Sequence, residues 1–382
     1  MFAGLVFTIV SLSGALLSAV QTVLTVMFRR RQRPFGVGRR DDSSRPADLL
    51  VSILKPVCGL DDELEENLLS FVSLRGLSYE VIISIEDRDD PALPIVAAAV
   101  RDHPDVFRVV VGNGTKHGVV NRKVDRLISA ARVARGKILF ISDSNVRVKP
   151  DDIRRTIEAF EDPTVGCVSN LFVGSGARNL GAALESLHLS VFVIPGCVLA
   201  AAAGVPCVVG KSMAITRRAL QAIGGFEAFR RFLAEDQAIG LAVKKAGFKV
   251  ALSPIVVRNV VVHRTIRRAL DRQIRWNKIR YAFSPTLYAS EILLHPFPLA
   301  CIAAAFGVSP LLALAVALLR IGLSAMLAAS IGANVRPWLT PVLDVAMFGA
   351  WFVPFFSNRI TWRGYTARIV RGTELVPYEA AA

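Results

Sequence analysis

The sequence is short of charge, and of negative charge most of all. Asp, Glu, Lys and Arg make up 20% of its 382 residues, against 53% hydrophobic residues. That balance excludes a disordered or fibrous chain and argues against an ordinary soluble one, so part of the apolar content must lie in a membrane. There are 46 basic and 31 acidic residues, a net charge of +15. Such an excess suits a nucleic-acid binder or a protein lying against anionic lipid, and its distribution has to decide. Cysteine is scarce too: Cys58, Cys167, Cys197, Cys207 and Cys301 form no CxxC pair. A disulfide scaffold and a zinc ribbon are excluded, and a reducing compartment fits.

Charge is absent altogether from Met1 to Phe28. As a helix that run exceeds a bilayer core, so residues 1–28 are expected to form an N-terminal transmembrane helix. A cleaved signal peptide fits poorly, because no basic segment precedes the apolar run and the run is too long. Arg29, Arg30, Arg31, Arg33, Arg39 and Arg40 follow. By the positive-inside rule residues 29–46 are a basic cytoplasmic linker. Its position at a membrane exit favours lipid headgroups as its partner over nucleic acid.

Residues 283–357 return to apolar composition, with membrane segments expected at Leu293–Gly307, Pro310–Ile331 and Trp338–Phe356. Arg320 lies inside the second, and Asp344 interrupts the third. Residues 358–382 form a basic tail. Two crossings plus one in-plane or re-entrant segment would keep that tail on the cytoplasmic side. One more run, Ser186–Gly210, has no formally charged residue but contains Pro195, Gly196, Gly204 and Pro206. These breakers argue against a straight spanning helix. The run is either core of the soluble domain or a surface dipping into the membrane.

Residues 47–282 are mixed in composition. Leu49–Leu54, Tyr79–Ile85, Phe107–Val111 and Lys137–Ser142 read as strands, with a helix over Arg122–Ala134. Near-continuous apolar strands alternating with helices predict an α/β domain with a mostly parallel sheet covered on both faces. Ligands of such sheets bind past the carboxyl ends of the strands. Here those ends carry acids: Glu86-Asp87-Arg88-Asp89-Asp90 after the second strand and Asp143-Ser144-Asn145 after the fourth. Acids at two adjacent strand ends could hold a divalent cation and a nucleotide. Most Asp clusters are only solvated loops, but Asp143 sits too close to an apolar run to be left unused. Lys55, Asn121 and Lys123 could converge on the same edge. Glu235-Asp236 opens a helix running to about Ala246, where acids commonly just complement the dipole. Farther on, Arg272, Arg275 and Trp276 share a helix face at i, i+3 and i+4. That face suits a diphosphate beside a stacked ring, or a basic amphipathic helix on lipid, with Lys278 and Arg280 towards the bilayer.

In order, these pieces resemble the inverting, processive-synthase-like glycosyltransferases of the GT-A fold, and among them the ceramide glucosyltransferase family. The resemblance covers most of the chain. It is carried by Ser52–Gly59 with Glu66-Asn67-Leu68, Glu86–Pro91, Asn121-Arg122-Lys123, Asp143–Val148, Ala234-Glu235-Asp236, Arg272-x-x-Arg275-Trp276 and Ile360-Thr361-Trp362-Arg363-Gly364. Two positions depart from the pattern. Asp143-Ser144-Asn145 replaces Asp-x-Asp, which leaves metal affinity on Asp143. Gln237 stands where an aromatic residue is expected, which bears on sugar or acceptor specificity.

The resemblance implies a GT-A catalytic domain with transmembrane helices at both ends, in a multi-pass protein whose catalytic domain is cytoplasmic. The inner membrane of a bacterium is the expected location. The implied reaction is transfer of a hexose from a UDP-sugar to the primary hydroxyl of ceramide. Asp236 would be the catalytic base. Asp143 and Asn145 would hold Mg2+ or Mn2+ on the diphosphate. Lys55, Asp87, Asn121, Lys123, Glu235, Arg272, Arg275 and Trp276 would bind the nucleotide sugar, with Asp87 at the uracil or ribose. No second carboxylate is set up as a covalent nucleophile, which implies one displacement with inversion. Ser186–Gly210 would form the acceptor groove. The partners are a UDP-sugar donor, a membrane lipid and the bilayer, with no nucleic acid. A hopanoid polyol is the alternative acceptor. A lipid-binding protein with a degenerate transferase fold is the alternative outside enzymes.

Overall fold

The computed structural model describes residues 2–31, 50–112, 121–362 and 365–378. Beyond Arg31 the expected basic linker lies outside these residues, as do Arg363 and Gly364 of the tail motif. The chain divides into two compact units: Arg31–Val173 with Ala200–Val260, and Met1–Arg30 with Gly174–Leu199 and Val261–Ala382.

The first unit is the α/β domain. In chain order it runs β1 (Leu50–Pro56), α2 (Leu64–Leu69), β2 (Ser78–Ile85), α3 (Leu93–Asp102), β3 (Phe107–Val111), α4 (Arg122–Val133), β4 (Ile138–Ser142), β5 (Val146–Arg147), α5 (Asp152–Ile157) and β6 (Val165–Ser175). After the excursion into the second unit come β7 (Ser212–Thr216), α8 (Arg217–Ala222), α9 (Glu235–Lys245) and β8 (Lys249–Val260). The eight strands form one sheet in the order β3-β2-β1-β4-β7-β6-β8-β5. Strands β3, β2, β1 and β4 are parallel, and β7 runs antiparallel to β4. The four strands read from apolar runs are all present, within a few residues of their expected ends. Strand β4 is buried throughout, as a strand covered on both faces must be. Leu54, Ile82, Leu127, Leu139, Ile141, Met213, Ile239 and Val243 pack as one core under α4 and α9.

The register sets the chemistry. Ser142, the last residue of β4, pairs with Ser212, the first of β7. Asp143 and Lys211 therefore leave the sheet side by side, and the Asp143 amide donates to the Lys211 carbonyl at 3.2 Å.

The second unit is helical. It holds α1 (Phe2–Arg31), α6 (Leu180–His188), most of α7 (Ile194–Ala202), α10 (Ile266–Phe283), α11 (Pro285–Ser290), α12 (Pro296–Ala305), α13 (Leu311–Ile331) and α14 (Thr340–Phe356). A three-stranded sheet of β9 (Arg359–Trp362), β10 (Tyr365–Ile369) and β11 (Leu375–Pro377) closes it. Among the described residues four helices are long and apolar enough to cross a membrane: Phe2–Arg30, Leu180–Ala202, Leu311–Ile331 and Pro337–Phe356. Pro285–Leu294 and Pro296–Ala305 form a pair bent by 69°, the geometry of a broken span or a re-entrant loop. Helix α1 packs on the start of α12, where the Ser11 hydroxyl donates to the Pro296 carbonyl at 2.8 Å. A side chain at Gly14 would collide with the Leu293 carbonyl, so only glycine permits this approach.

One expectation is corrected here. Pro195 and Gly196 do not break the helix, which runs from Leu180 to Ala202. A π-helical turn at Leu189–Val193 shifts the hydrogen-bond ladder just before Pro195, which then sits in the first turn of α7 and has little bonding to lose. Gly204 and Pro206 lie beyond the end of the helix.

Candidate active site

In the α/β domain the polar groups gather past the end of β4. Lys123, on the first turn of α4, reaches Asp143 Oδ1 at 2.9 Å and Glu235 Oε1 at 3.0 Å. Lys211 Nζ lies 3.4 Å from Asp143 Oδ2 and 3.3 Å from Asn145 Oδ1. Asp143 is thus held between two ammonium groups. Burial by itself would raise its pKa; Lys123 and Lys211 more than offset that and keep the carboxyl well below the usual carboxylate range. Burial would lower Lys123, but Asp143, Glu235 and Asp236 outweigh it and push the ammonium above its ordinary value. Glu235 is raised, first by burial and then by the neighbouring Asp236, against the pull of Lys123.

Asn121 explains why Lys123 and Glu235 meet. It caps α4, its side-chain oxygen accepting from the Lys123 amide at 3.0 Å. Its amide nitrogen donates to Glu235 Oε2 at 2.8 Å and to the Phe232 carbonyl at 2.9 Å. Asn121 is fully buried, so it holds the two charged groups in place from beneath.

Asp236 opens α9 next to Glu235. Its Oδ2 accepts from the Gly210 amide at 2.6 Å and its Oδ1 from the Gln237 amide at 2.8 Å. No ion pair is recorded for Asp236 among the described residues. Residues 210 and 211 tie the cluster together: the Gly210 amide goes to Asp236, the Gly210 carbonyl to Lys123, and the Lys211 ammonium to Asp143. A Cβ at Gly210 would stand 2.8 Å from Lys123 Nζ and 3.2 Å from Asp236 Oδ2. Gln237 clamps the preceding loop, accepting from the Val208 amide at 3.0 Å and donating to the Pro206 carbonyl at 2.7 Å. An aromatic ring there would make neither bond.

Lys55 takes a different place from the one its sequence position suggests. It is fully buried, donates to the Asp143 carbonyl at 2.8 Å and lies over the Phe71 ring at 4.3 Å. So enclosed, it braces the Asp143 loop rather than reaching into a cleft. Burial brings it down from 10.5 to about 7, with Asp143 and Asp61 pulling the other way. At the end of β2, Glu86 pairs with Arg122 at 3.1 Å and Arg126 at 2.9 Å. Asp90 closes the loop by accepting from the amides of Gly59 and Ala92, each at 2.9 Å. Asp87 is half-buried between them and accepts from the Asp89 amide at 3.0 Å.

The helical unit carries the Arg-Trp motif on α10, with Arg272, Arg275 and Trp276 at helical spacing. The Arg272 guanidinium lies over the Trp276 ring at 5.0 Å and pairs with Glu185 of α6. Glu185 is wholly buried and also faces Arg264 at 3.3 Å. Lys278 and Arg280 do not both turn to lipid. Lys278 is buried against Ser357 and Arg359, and Arg280 pairs with Glu291 at 2.8 Å.

Sequence spacing alone does not single out Lys211 or Glu185. The signal for Lys211 was its place directly after an apolar run in Gly210-Lys211-Ser212-Met213. Glu185 had only its isolation: an acid in an apolar helix needs a partner, and two arginines supply it.

The donor set past β4 bears on a metal. Among the described residues no three His, Cys, Asp or Glu side chains gather to hold one. Yet the Asp143 carboxylate and the Asn145 amide oxygen converge on a single cation, the Lys211 ammonium. Two hard oxygens are what an ion of the Mg2+ type takes from protein when phosphate and water complete its shell. The residues fit such an ion, provided Lys211 yields its place.

A half-parallel sheet continued by antiparallel strands, with carboxylates at the ends of β2 and β4 and at the start of α9, is the architecture of the GT-A nucleotide-sugar transferases. A mannosyltransferase from Pyrobaculum calidifontis, solved in complex with GDP-Man and Mn2+, shares the fold. The TM-score is 0.53 at 21% identity, covering 91% of this chain and 99% of that one. The sequence profile of glycosyl transferase family 21 matches residues 8–375, and the chain belongs to that family. Ceramide glucosyltransferase 1 of Caenorhabditis elegans is 29% identical over 253 residues, 64% of this chain and 52% of that protein. Ceramide glucosyltransferase 3 of the same organism is 28% identical over 269 residues, 68% of this chain and 56% of that protein. The chain thus spans about half the length of the curated relatives it matches.

Proposed function

We propose that this protein is a membrane-bound inverting glycosyltransferase that moves a hexose from a UDP-sugar to the primary hydroxyl of ceramide. One observation carries the reading. Asp236 is fixed by two main-chain amides at the same strand ends where Asp143, Lys123 and Lys211 concentrate charge. Family membership and the ceramide glucosyltransferase relatives support the lipid acceptor.

Transfer needs a stabilised leaving group, a deprotonated acceptor and exclusion of water. Lys123 and Lys211 offer positive charge to the departing diphosphate. Asp236 takes the proton from the acceptor hydroxyl as its oxygen bonds to the anomeric carbon. The bond from that carbon to the diphosphate breaks on the opposite side, inverting the centre and releasing UDP. Asp143 and Asn145 would hold Mg2+ or Mn2+, which neutralises diphosphate charge when bound. Lys55 and Asn121 serve by positioning Asp143, Lys123 and Glu235. Asp87 contacts the nucleoside, and Arg272, Arg275 and Trp276 the diphosphate.

The lipid accounts for the apolar helices. On the helix over 180–202, Phe192, Val193, Gly196 and Leu199 form a half-exposed stripe along one face. That stripe is the acceptor surface in this reading, and the catalytic domain faces the cytoplasm with the Arg29–Arg31 cluster. The deciding experiment incubates the full-length protein with a panel of UDP-sugars and lipid acceptors, measuring UDP release and lipid products by mass spectrometry. A glycosylceramide sustains the proposal. A glycosylated hopanoid polyol would replace its acceptor, and absence of donor-dependent UDP release would defeat it.

A further inference from the structure

A cavity of about 430 Å³ lies in the helical unit where α10 and α14 end beside the small C-terminal sheet. It is of the size that holds a small-molecule ligand. Its walls are mostly apolar, with Tyr281, Phe283 and Pro354 among them. Its charged lining residues are Lys278 and Arg371, and no Asp or Glu lines it.

Lys278 is the unusual member. It is buried, and its recorded partners are neutral oxygens, the Ser357 hydroxyl and the Arg359 carbonyl. It makes no ion pair among the described residues. Buried charges are normally paired, because an ammonium taken out of water without a counter-charge is costly. The surroundings add to the imbalance. Arg371 is exposed at the cavity rim, and burial first, then the nearby Arg359 guanidinium, pulls the Lys278 ammonium below its ordinary value. Two cations thus line an apolar-walled cavity, with Arg359 close to one of them, at the end of a helix apolar enough to cross a membrane. The missing piece is an anion with an apolar body.

We propose that this cavity binds the phosphodiester headgroup of an anionic membrane lipid, Lys278 and Arg371 taking the phosphate while Tyr281, Phe283 and Pro354 enclose the glycerol and first acyl carbons. Basic pockets at the ends of membrane helices recognise lipid headgroups in this way. The site is independent of the transferase reading, since it uses none of the residues assigned to donor or acceptor.

The test uses the full chain in nanodiscs of phosphatidylcholine, with and without phosphatidylglycerol. Thermal unfolding and titration with a fluorescent phosphatidylglycerol are both read. Phosphatidylglycerol should raise the unfolding midpoint of the wild type. Arg371→Gln, at an exposed position, should leave the midpoint in phosphatidylcholine unchanged and weaken phosphatidylglycerol binding about tenfold, as loss of one charge-assisted contact predicts. Lys278→Met should weaken it at least as much. If both variants keep the wild-type preference for phosphatidylglycerol, Lys278 merely ties down the turn between α14 and β9 and the proposal is overturned. Inorganic phosphate or UDP added to phosphatidylcholine discs separates the sources. Stabilisation by either, abolished by the same variants, would mean that the site takes a free phosphate and not a lipid.

Discussion

Arg320 on α13 and Asp344 on α14 form a bidentate ion pair, Nε to Oδ2 at 2.9 Å and Nη2 to Oδ1 at 2.8 Å. Both side chains are buried between two helices apolar enough to cross a membrane. Each charge alone would make its helix a poor membrane segment. Together they neutralise one another and fix the register of the two helices.

Removing one partner should therefore harm more than removing both. Arg320→Leu leaves the Asp344 carboxylate buried and unpaired, a loss of about 3–5 kcal/mol by analogy with other broken buried pairs. The Arg320→Leu/Asp344→Leu double variant should recover most of that loss. Unfolding midpoints in detergent for the singles and the double complete the cycle, and equal losses in all three would show that the pair is not coupled.

Asp236→Asn should abolish transfer while UDP-sugar binding persists. The asparagine carbonyl can still accept from Gly210 or Gln237, so the loop geometry survives while the base is lost. Loss of a general base commonly costs 10²- to 10⁴-fold in turnover. Turnover within threefold of wild type would remove Asp236 from the chemistry.

Gly210→Ala tests the stitching of the site. The added methyl would stand 2.8 Å from Lys123 Nζ, so Lys123 must leave its contact with Asp143 or Glu235. The variant should fold with a near-normal unfolding midpoint and lose turnover by at least tenfold, since small displacements of positioned groups carry large rate penalties. Unimpaired turnover would mean that Lys123 is not positioned for catalysis.

Lys55 predicts a dependence of stability on pH. Its folded value is about 7 against 10.5 for an unperturbed lysine, burial being the main cause. Between those values the unfolded chain holds a proton that the folded chain has released, so stability rises with pH across the window. The contribution is fully present above 10.5 and is lost as pH falls through about 7. Unfolding midpoints from pH 7 to pH 10 should climb in wild type and climb less in Lys55→Met. Parallel profiles for the two proteins would refute the assignment.

Much of this could be read from residue order alone. Apolar runs fixed β1 to β4 within a few residues, because strands buried on both faces have no room for polar side chains. The same runs marked the helices at Phe2–Arg31, Leu311–Ile331 and Thr340–Phe356. Asp143 is marked by its place beside an apolar run, where an acid is costly unless used, whereas Asp236 is singled out only by the resemblance to the family's motif. What the sequence could not supply was pairing across long separations. Lys211 reaches Asp143 only because Ser142 and Ser212 pair in antiparallel register. Lys55 braces a loop because β1 lies beside β4, a neighbourhood set by sheet order and not by chain order. Arg272 meets Glu185, and Arg320 meets Asp344, because helices distant in sequence pack together. The continuous helix through Pro195 was likewise a tertiary decision. The proline's local penalty was small once a π-turn had shifted the ladder, and the surrounding helices bury most of that segment. Local propensity and burial are written in the sequence; which buried charge faces which is decided by the register and packing of the folded chain.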